Sequence, residues 1–401
     1  MGILLRKYHG AIAFTGIAKF AFIIFLVSLS AALIDTVWAV YLNSFLQNES
    51  LVGLYSGFLS VLVFLSFFFL VPLVEKSNKS KLYASSLLIL AILFVLFAIN
   101  KNLIFFIVLS IIGTLLAAIR ITSMGIIVRD ISRKNTISKN EGFVYSFNNV
   151  AWVFGPLIVG LILLDFGISY VFLSSAFLIF FAFILFKMSK IYDVNTMRKI
   201  HGNVFKNFME FFRNRDRTVS YFIGAGVTFW WVLIYLYMPL FILENGMKES
   251  FIGVFLFLAA VPLIILEYPL SKAAGKFGAK KFFLIGYFFM VIISILAFFF
   301  VSQIYILLGL LILGSFGMAM LEPTSEAYFF DIIKNKKEEN RFYGPYNTAI
   351  EVGLIFGKIA PAILLIFLPF KYIFLLFGFF LFLLFLLSFK ARNIVEDRRR
   401  R

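Results

Sequence analysis

The 401-residue chain contains no cysteine and only two histidines, His9 and His201. Without cysteine there is no disulfide framework, no thiolate metal site and no cysteine nucleophile. Both histidines fall in segments read below as cytoplasmic, so imidazole metal binding and imidazole acid–base chemistry are not expected, and neither is a metal or a cofactor. Charge is also scarce: Asp, Glu, Lys and Arg make up 14% of the residues, against about 25% in an average soluble domain. Apolar residues take the space, with 62% hydrophobic positions, 56 phenylalanines and a mean hydropathy of +1.00. A soluble fold of this length leaves roughly a quarter of its surface exposed, which excludes a water-soluble enzyme of this composition. Disorder requires low hydrophobicity and is excluded as well. Transmembrane barrels need alternating polarity, and the run from Phe58 to Leu70 does not alternate. What remains is an all-α integral membrane protein with spans of roughly 20 residues each.

Hydrophobic runs between charge and turn signals give twelve spans, at 20–42, 51–74, 82–99, 103–128, 143–164, 169–188, 219–243, 250–271, 282–300, 304–329, 344–368 and 371–389. The first is too long for a removable signal peptide, carries Asp35 and lacks a clear small-residue cleavage site. Basic residues alternate sharply between loops. With the N-terminus inside, only Lys101, Lys248 and Lys371 fall in outside loops, while Arg120 and Lys358 lie within spans; the rest of the 37 are inside. This asymmetry predicts a multi-pass protein of the plasma membrane with both termini cytoplasmic. The formal charge of +17 then reports topology and attraction to an anionic inner leaflet, and nucleic acid is not needed as a partner. The expected organisation is a six-helix bundle over 1–188, a cytoplasmic linker over 189–218, a second bundle over 219–389 and a basic tail over 390–401. The linker mixes Val204, Phe205, Phe208, Phe211 and Phe212 with Lys206, Arg213 and Arg215, a pattern that predicts an amphipathic helix along the membrane surface.

The two bundles repeat each other. At an offset of 200, Glu49-Ser50-Leu51-Val52-Gly53 meets Glu249-Ser250-Phe251-Ile252-Gly253, and Lys76, Asn78 and Lys81 meet Lys276, Gly278 and Lys281. At 201, Gly113-Thr114 meets Gly314-Ser315 and Asp130-Ile131 meets Asp331-Ile332; at 199, Phe143 meets Phe342, Asn148 meets Asn347 and Trp152 meets Glu351. A drift of one residue each way is what small loop insertions produce.

At these residues the chain resembles the major facilitator superfamily of secondary transporters, over essentially its whole length. The family's loop signature G-x-x-x-D-R-x-G-R-R appears in degenerate form after the second span as Val71-Pro72-Leu73-Val74-Glu75-Lys76-Ser77-Asn78-Lys79-Ser80. The second copy reads Ser271-Lys272-Ala273-Ala274-Gly275-Lys276-Phe277-Gly278-Ala279-Lys280. The fifth span carries Gly155-Pro156-Leu157-Ile158-Val159-Gly160, similar to a G-P-x-x-x-G element the family often shows in exporters. Arg120 followed by Gly125 is loosely similar to its R-x-x-Q-G element. Independently of the family, the tight inner turns need a residue tolerant of positive φ, and Asn78 and Gly278 supply one. Glu75 at the inner mouth has two candidate partners, Arg129 and Arg341, and a carboxylate–arginine lock there would favour an outward-open state. The alternative is a solvated interfacial charge. Gly155 and Pro156 permit close helix approach or a simple kink.

Seven ionisable residues fall within the spans: Asp35, Arg120, Glu267, Glu322, Glu326, Glu351 and Lys358. Each costs about 2.5–3.5 kcal/mol on insertion scales when central, so they are expected to face the interior or one another. Helical spacing groups Glu322 with Glu326, Glu351 with Lys358, Asp35 with Trp38, and Asn148 or Asn149 with Trp152 on shared faces. The family resemblance implies that spans 1, 4, 7 and 10 line a central cavity flanked by 2, 5, 8 and 11, which brings Asp35, Arg120, Glu322, Trp152 and Glu351 together beside Trp231 and Tyr235. Glu267 and Glu326 lie nearer the inner interface and also read as carboxylates paired with a nearby lysine. The sequence therefore predicts a monomeric secondary transporter of a small solute, with Asp35 as leading proton carrier, Glu351 or Glu322 second, and Arg120 as modulating cation. Five acids against two bases favour proton-coupled efflux of lipophilic or cationic compounds. Uptake or exchange of an anionic solute clamped by Arg120 and Lys358 is the alternative. A non-transporting receptor or lipid-handling protein on the same scaffold is a third reading, and an enzyme is not expected.

Overall fold

The computed structural model describes residues 16–130, 137–189 and 204–394; the side chains of Glu75 and Arg129 lie outside the described residues. The described residues are helical with no strand. In order they form α1 (Gly16–Leu46), α2 (Glu49–Lys76), α3 (Lys79–Ile99), α4 (Leu103–Asp130), α5 (Ile137–Asp165) and α6 (Ile168–Met188). A short linker helix α7 (Val204–Phe211) precedes α8 (Arg215–Val232), a π segment (Leu233–Tyr237) and α9 (Met238–Glu244), which together make the seventh span. Then follow α10 (Glu249–Phe277), α11 (Ala279–Phe299), α12 (Ile304–Ile332), α13 (Lys336–Phe367) and α14 (Tyr372–Ser388). Among the described residues 11 helices are long and apolar enough to cross a membrane, and α14 adds a shorter apolar one of 17 residues.

Local chemistry sets the helix starts. Asn48, Asn78, Asn214 and Asn335 each accept a hydrogen bond from the backbone N–H three residues on, at 3.0, 2.8, 3.1 and 3.0 Å, as N-cap side chains do. Asn78 thus enters its turn with φ −72° as a cap, and the positive φ expected there is found only in the second copy, at Gly278 (φ 96°). Prolines 72, 156, 262, 269, 323, 345 and 361 sit inside helices, which spans tolerate because neighbouring groups satisfy the freed carbonyls. Large side chains such as Phe69 (75% exposed) and Phe367 (77%) face outward, where acyl chains replace water as solvent.

Within the first half α1 packs on α5 and α6, and α3 on α4 and α6; within the second, α11 packs on α12 and α14, and α8 on α13 and α12. The most extensive contacts between the halves are α2 with α13 and α5 with α10, and α1 also meets the seventh span. Both pairs are close-packed at the side away from the linker. Ser50 Oγ donates to Ala362 O at 2.7 Å, and Gly253 lies against Pro156 and Gly160 so closely that any Cβ there would overlap their backbone. On the linker side, α4 makes its substantial contacts only with α1, α2, α3 and α5, and α12 only with α8, α10 and α11. The seam is thus close-packed at the far side, while on the linker side α4 and α12 make no substantial contact with each other.

Gly253→Val drives a branched side chain into the α5 backbone. The expected result is destabilisation of about 1–3 kcal/mol, read as a lowered thermal midpoint in detergent, with Gly253→Ala intermediate. An unchanged midpoint would contradict this seam.

Candidate functional site

Between the halves, mid-way through α1, Asp35 is exposed although Ile34, Thr36 and Val37 beside it are 7%, 0% and 2% exposed. Helices α2, α5 and α6 and the seventh span surround α1, so this accessible face opens into the crevice. Asp35 lies within electrostatic reach of Arg120 on α4 and of Lys358 on α13, a cation from each half. Glu351, one face of α13 with Lys358, is within reach of that ammonium. Arg120 Nε and Glu351 Oε2 are buried with no hydrogen-bond partner among the described residues, and Lys358 Nζ donates to Ser60 Oγ on α2 at 2.8 Å.

A second group faces them from the second half. Trp231 Nε1 donates to Glu322 Oε2 at 3.3 Å. The Trp231 ring meets Tyr235 edge-on at 5.7 Å, and Tyr235 meets Trp152 of α5 at 6.2 Å, so an aromatic wall crosses the seam. Tyr235 is in reach of both Asp35 and Glu322. It stands in the π segment, whose wider turn precedes Pro239. A proline ring clashes with the carbonyl four residues back, here that of Tyr235, and the extra residue per turn relieves the clash. Glu267 and Glu326 lie in electrostatic reach of Glu322, and Glu326 also accepts from Tyr343 Oη at 3.5 Å.

Some expected site residues stand elsewhere. Trp38 packs against Phe97 and Phe106 at 6.0 and 5.8 Å. Three residues on from Asp35, it braces α3 and α4 and stays partly exposed. Asn148, which accepts from Ser28 Oγ at 2.7 Å, ties α5 to α1, and Asn149 is exposed beside it. Gly155 lies against Ala32 of α1, and Gly160 against Ser250 of α10, so the Gly155–Pro156–Gly160 element serves both a contact inside its own half and the far-side seam. Lys76 and Lys276 are exposed at the linker side, Lys276 over the Phe277 ring at 5.3 Å.

Arg341 is held by the linker helix. It forms an ion pair with Glu210, and its Nε donates to Asn207 Oδ1 at 2.7 Å. Arg217 caps the same helix through Glu210 O and Phe211 O at 2.9 and 3.1 Å and lies over Phe342 at 4.0 Å. Phe211 is fully buried against Tyr221, Phe329 and Phe342, while Phe208 meets Phe64 and Phe68 of α2. The linker helix packs Phe211 into the second half and Phe208 against the first, and leaves Phe205 (61%) and Met209 (54%) exposed. Arg341 is thus engaged with Glu210 and Asn207, and its expected pairing with Glu75 lies outside the described residues. Ser60, Asn207, Glu210 and the π segment carried no signal of their own in the sequence, apart from Pro239 for the last.

Two pseudo-symmetric six-helix bundles around a charged crevice define a polytopic membrane transporter fold. The sequence model of the Major Facilitator Superfamily matches residues 20–261 and again 220–401, and the chain belongs to that superfamily. No curated protein matches it. Among solved structures, a bacterial homologue of the human lysosomal transporter Spinster, in an inward-facing and unoccupied conformation, is similar at TM-score 0.78 and 12% identity, covering 97% of this chain and 99% of the other. A POT family transporter in complex with 5-aminolevulinic acid is similar at TM-score 0.75 and 12% identity (94% and 95% covered). The nucleoside transporter NupG is similar at TM-score 0.74 and 12% identity (94% and 100% covered).

The Arg341–Glu210 pair, with side chains 36% and 23% exposed, generates a bounded expectation. Arg341→Ala and Glu210→Ala in a double-mutant cycle are expected to couple by about 0.5–1 kcal/mol, with faster amide exchange over 204–211 in either single variant. Additive effects and unchanged exchange would show that the linker helix docks without them.

Proposed function

We propose that the protein is a proton-coupled secondary transporter that exports lipophilic or cationic compounds by alternating access, and that its described conformation is the one open toward the linker side. The observation that carries this reading is Asp35, accessible in the middle of an otherwise buried span and within reach of one cation from each half. A carboxylate so placed has a proton affinity that depends on how close those cations stand, and rocking of the halves changes one of the two distances. The crevice supports a cationic or aromatic cargo: Trp152, Trp231 and Tyr235 offer ring faces, and Glu322 and Glu351 offer negative charge. Glu351 and Glu322 are the further proton-carrying candidates, and Arg120 is the cation that keeps Asp35 ionised in one state. By the distribution of basic residues the linker side is cytoplasmic and the membrane is the plasma membrane, with a monomer as the working unit.

Clamping of an anionic solute is the second reading, favoured by one observation, the buried Nε of Arg120, which has no hydrogen-bond partner among the described residues.

Proteoliposomes carrying an imposed pH gradient test both. Asp35→Asn is expected to abolish gradient-driven accumulation of a lipophilic cation while leaving exchange down its own gradient intact; undiminished accumulation would remove Asp35 from the role. Arg120→Ala is expected to weaken proton coupling and to leave cation preference unchanged, whereas loss of an anion flux in that variant would select the second reading.

A further inference from the structure

We propose that the linker helix and the turn after it form a docking surface for an anionic membrane leaflet: Phe205 and Met209 enter the acyl boundary, and Lys206, Arg213 and Arg215 take the headgroup phosphates. The surface is separate from the crevice and stands whatever solute the protein carries. Helix α7 divides by face. Asn207 and Phe211 are 8% and 0% exposed and turn toward the protein. Phe205 and Met209 stand one turn apart on the same side of the helix, and are 61% and 54% exposed. Lys206, Arg213 and Arg215 are exposed as well. A helix with large apolar side chains and several bases outside its packed face has the composition of one that lies at a membrane interface.

Continuity with the outer face of α2 identifies what covers the apolar pair. The Phe205 ring meets Phe68 at 6.3 Å, and Leu65, Phe69 and Leu73 near Phe68 are 47%, 75% and 56% exposed. They belong to a span long and apolar enough to cross a membrane, so acyl chains are their solvent. The same chains reach Phe205 and, one turn on, Met209. Charge points the same way. Glu210 is the one carboxylate of α7, and it is paired with Arg341. The next acid, Asp216, is partly buried in the first turn of α8. Arg215 opens the seventh span, which puts the turn at headgroup level, where an anionic leaflet attracts each exposed base. A second copy of the chain would bring the same bases against these and be repelled. Arg341 fastens the helix to α13. A leaflet that grips this face therefore holds the second half at its linker side, and lipid charge sets how firmly.

The chain has no native cysteine, so single nitroxide labels report without a background. Met209→Cys and Arg213→Cys are labelled in nanodiscs of phosphatidylcholine alone or mixed equally with phosphatidylglycerol. Collision with oxygen, which enters hydrocarbon, is compared with collision with a water-soluble nickel chelate. In the mixed nanodiscs the label at 209 is expected to meet oxygen and exclude nickel, and the label at 213 to meet nickel. In the otherwise unaltered protein, amide exchange over 204–211 is expected to slow by about fivefold or more when phosphatidylglycerol is present. That slowing is expected to vanish in high salt and in the Lys206→Gln/Arg213→Gln/Arg215→Gln variant. Nickel reaching 209 as readily as 213 would overturn the proposal, as would exchange indifferent to lipid charge or a lipid effect that the triple variant retains. Shielding of the 209 label that appears in detergent and grows with protein concentration would assign the face to a second copy and overturn it too. Where the triple variant fails to fold, the salt and lipid comparison in the unaltered chain decides.

Discussion

A charged side chain at hydrocarbon depth is costly unless it faces water or an opposite charge, and the architecture of this protein is arranged around that constraint. Asp35, Arg120, Glu322, Glu351 and Lys358 sit near the middle of their spans, and all of them turn inward. Inward is possible only because two bundles leave a crevice between them. One bundle of six helices packed to interior density has no room for five ionised groups. Asp35 is accessible on its inner face, while phenylalanines such as Phe69 and Phe367 are exposed on the outer faces. The charges and the two-bundle division are thus one fact seen from two sides.

The seam explains why the sequence repeats where it does. Pseudo-two-fold symmetry makes the α2–α13 contact equivalent to the α5–α10 contact, so α2 and α10 must present the same surface to their partners. The Glu-Ser-x-x-Gly stretch at 49–53 and 249–253 is that surface. Ser50 and Gly53 meet α13 near Ala362, and Ser250 and Gly253 meet α5 near Gly160. A serine backbone and a glycine at these points allow the two helix backbones to touch, which is how helices associate where lipid removes the hydrophobic drive between them. The departures from symmetry are equally informative. Asn78 and Gly278 occupy matching turns and solve them differently, one by capping the next helix and the other by a positive φ.

Span number, span order and the inward charges were legible from the sequence because the bilayer imposes one strong period and one strong penalty. Helix ends shifted by a few residues, as at α8, which starts at Arg215 once Asn214 caps it and not at the first apolar residue. The crevice was legible as a set of charges, since each ionised residue in a span must find an interior. Its neutral partners were not. Ser60 is one serine in a long apolar run, and nothing local separates it from Ser66 or Ser86, which bond to their own helix carbonyls. The contacts of Trp38 show the same limit. Helical spacing puts it near Asp35, but only packing on Phe97 and Phe106 decides which side of a shared face it takes. The linker helix was legible as amphipathic, while its docking on both bundles depended on aromatic rings far away in sequence.

That docking bears on how the two halves can move. The linker helix holds the second half through Arg341, Arg217 and the ring cluster around Phe211, and touches the first half through Phe208 against Phe64 and Phe68. The two attachments differ in kind. The first combines directional hydrogen bonds with an ion pair and fixes the helix to α13; the second is ring against ring and tolerates sliding. Closure of the linker side brings α2 toward α13 at their inner ends, and Gly344 already lies near Phe67 there. In such a closure the directional contacts would carry the linker helix with the second half, and the ring contacts would let it slide over α2. Directional contacts on one side and non-directional contacts on the other are what such a hinge requires, and they confine the moving surface to the few phenylalanines of α2 and α7.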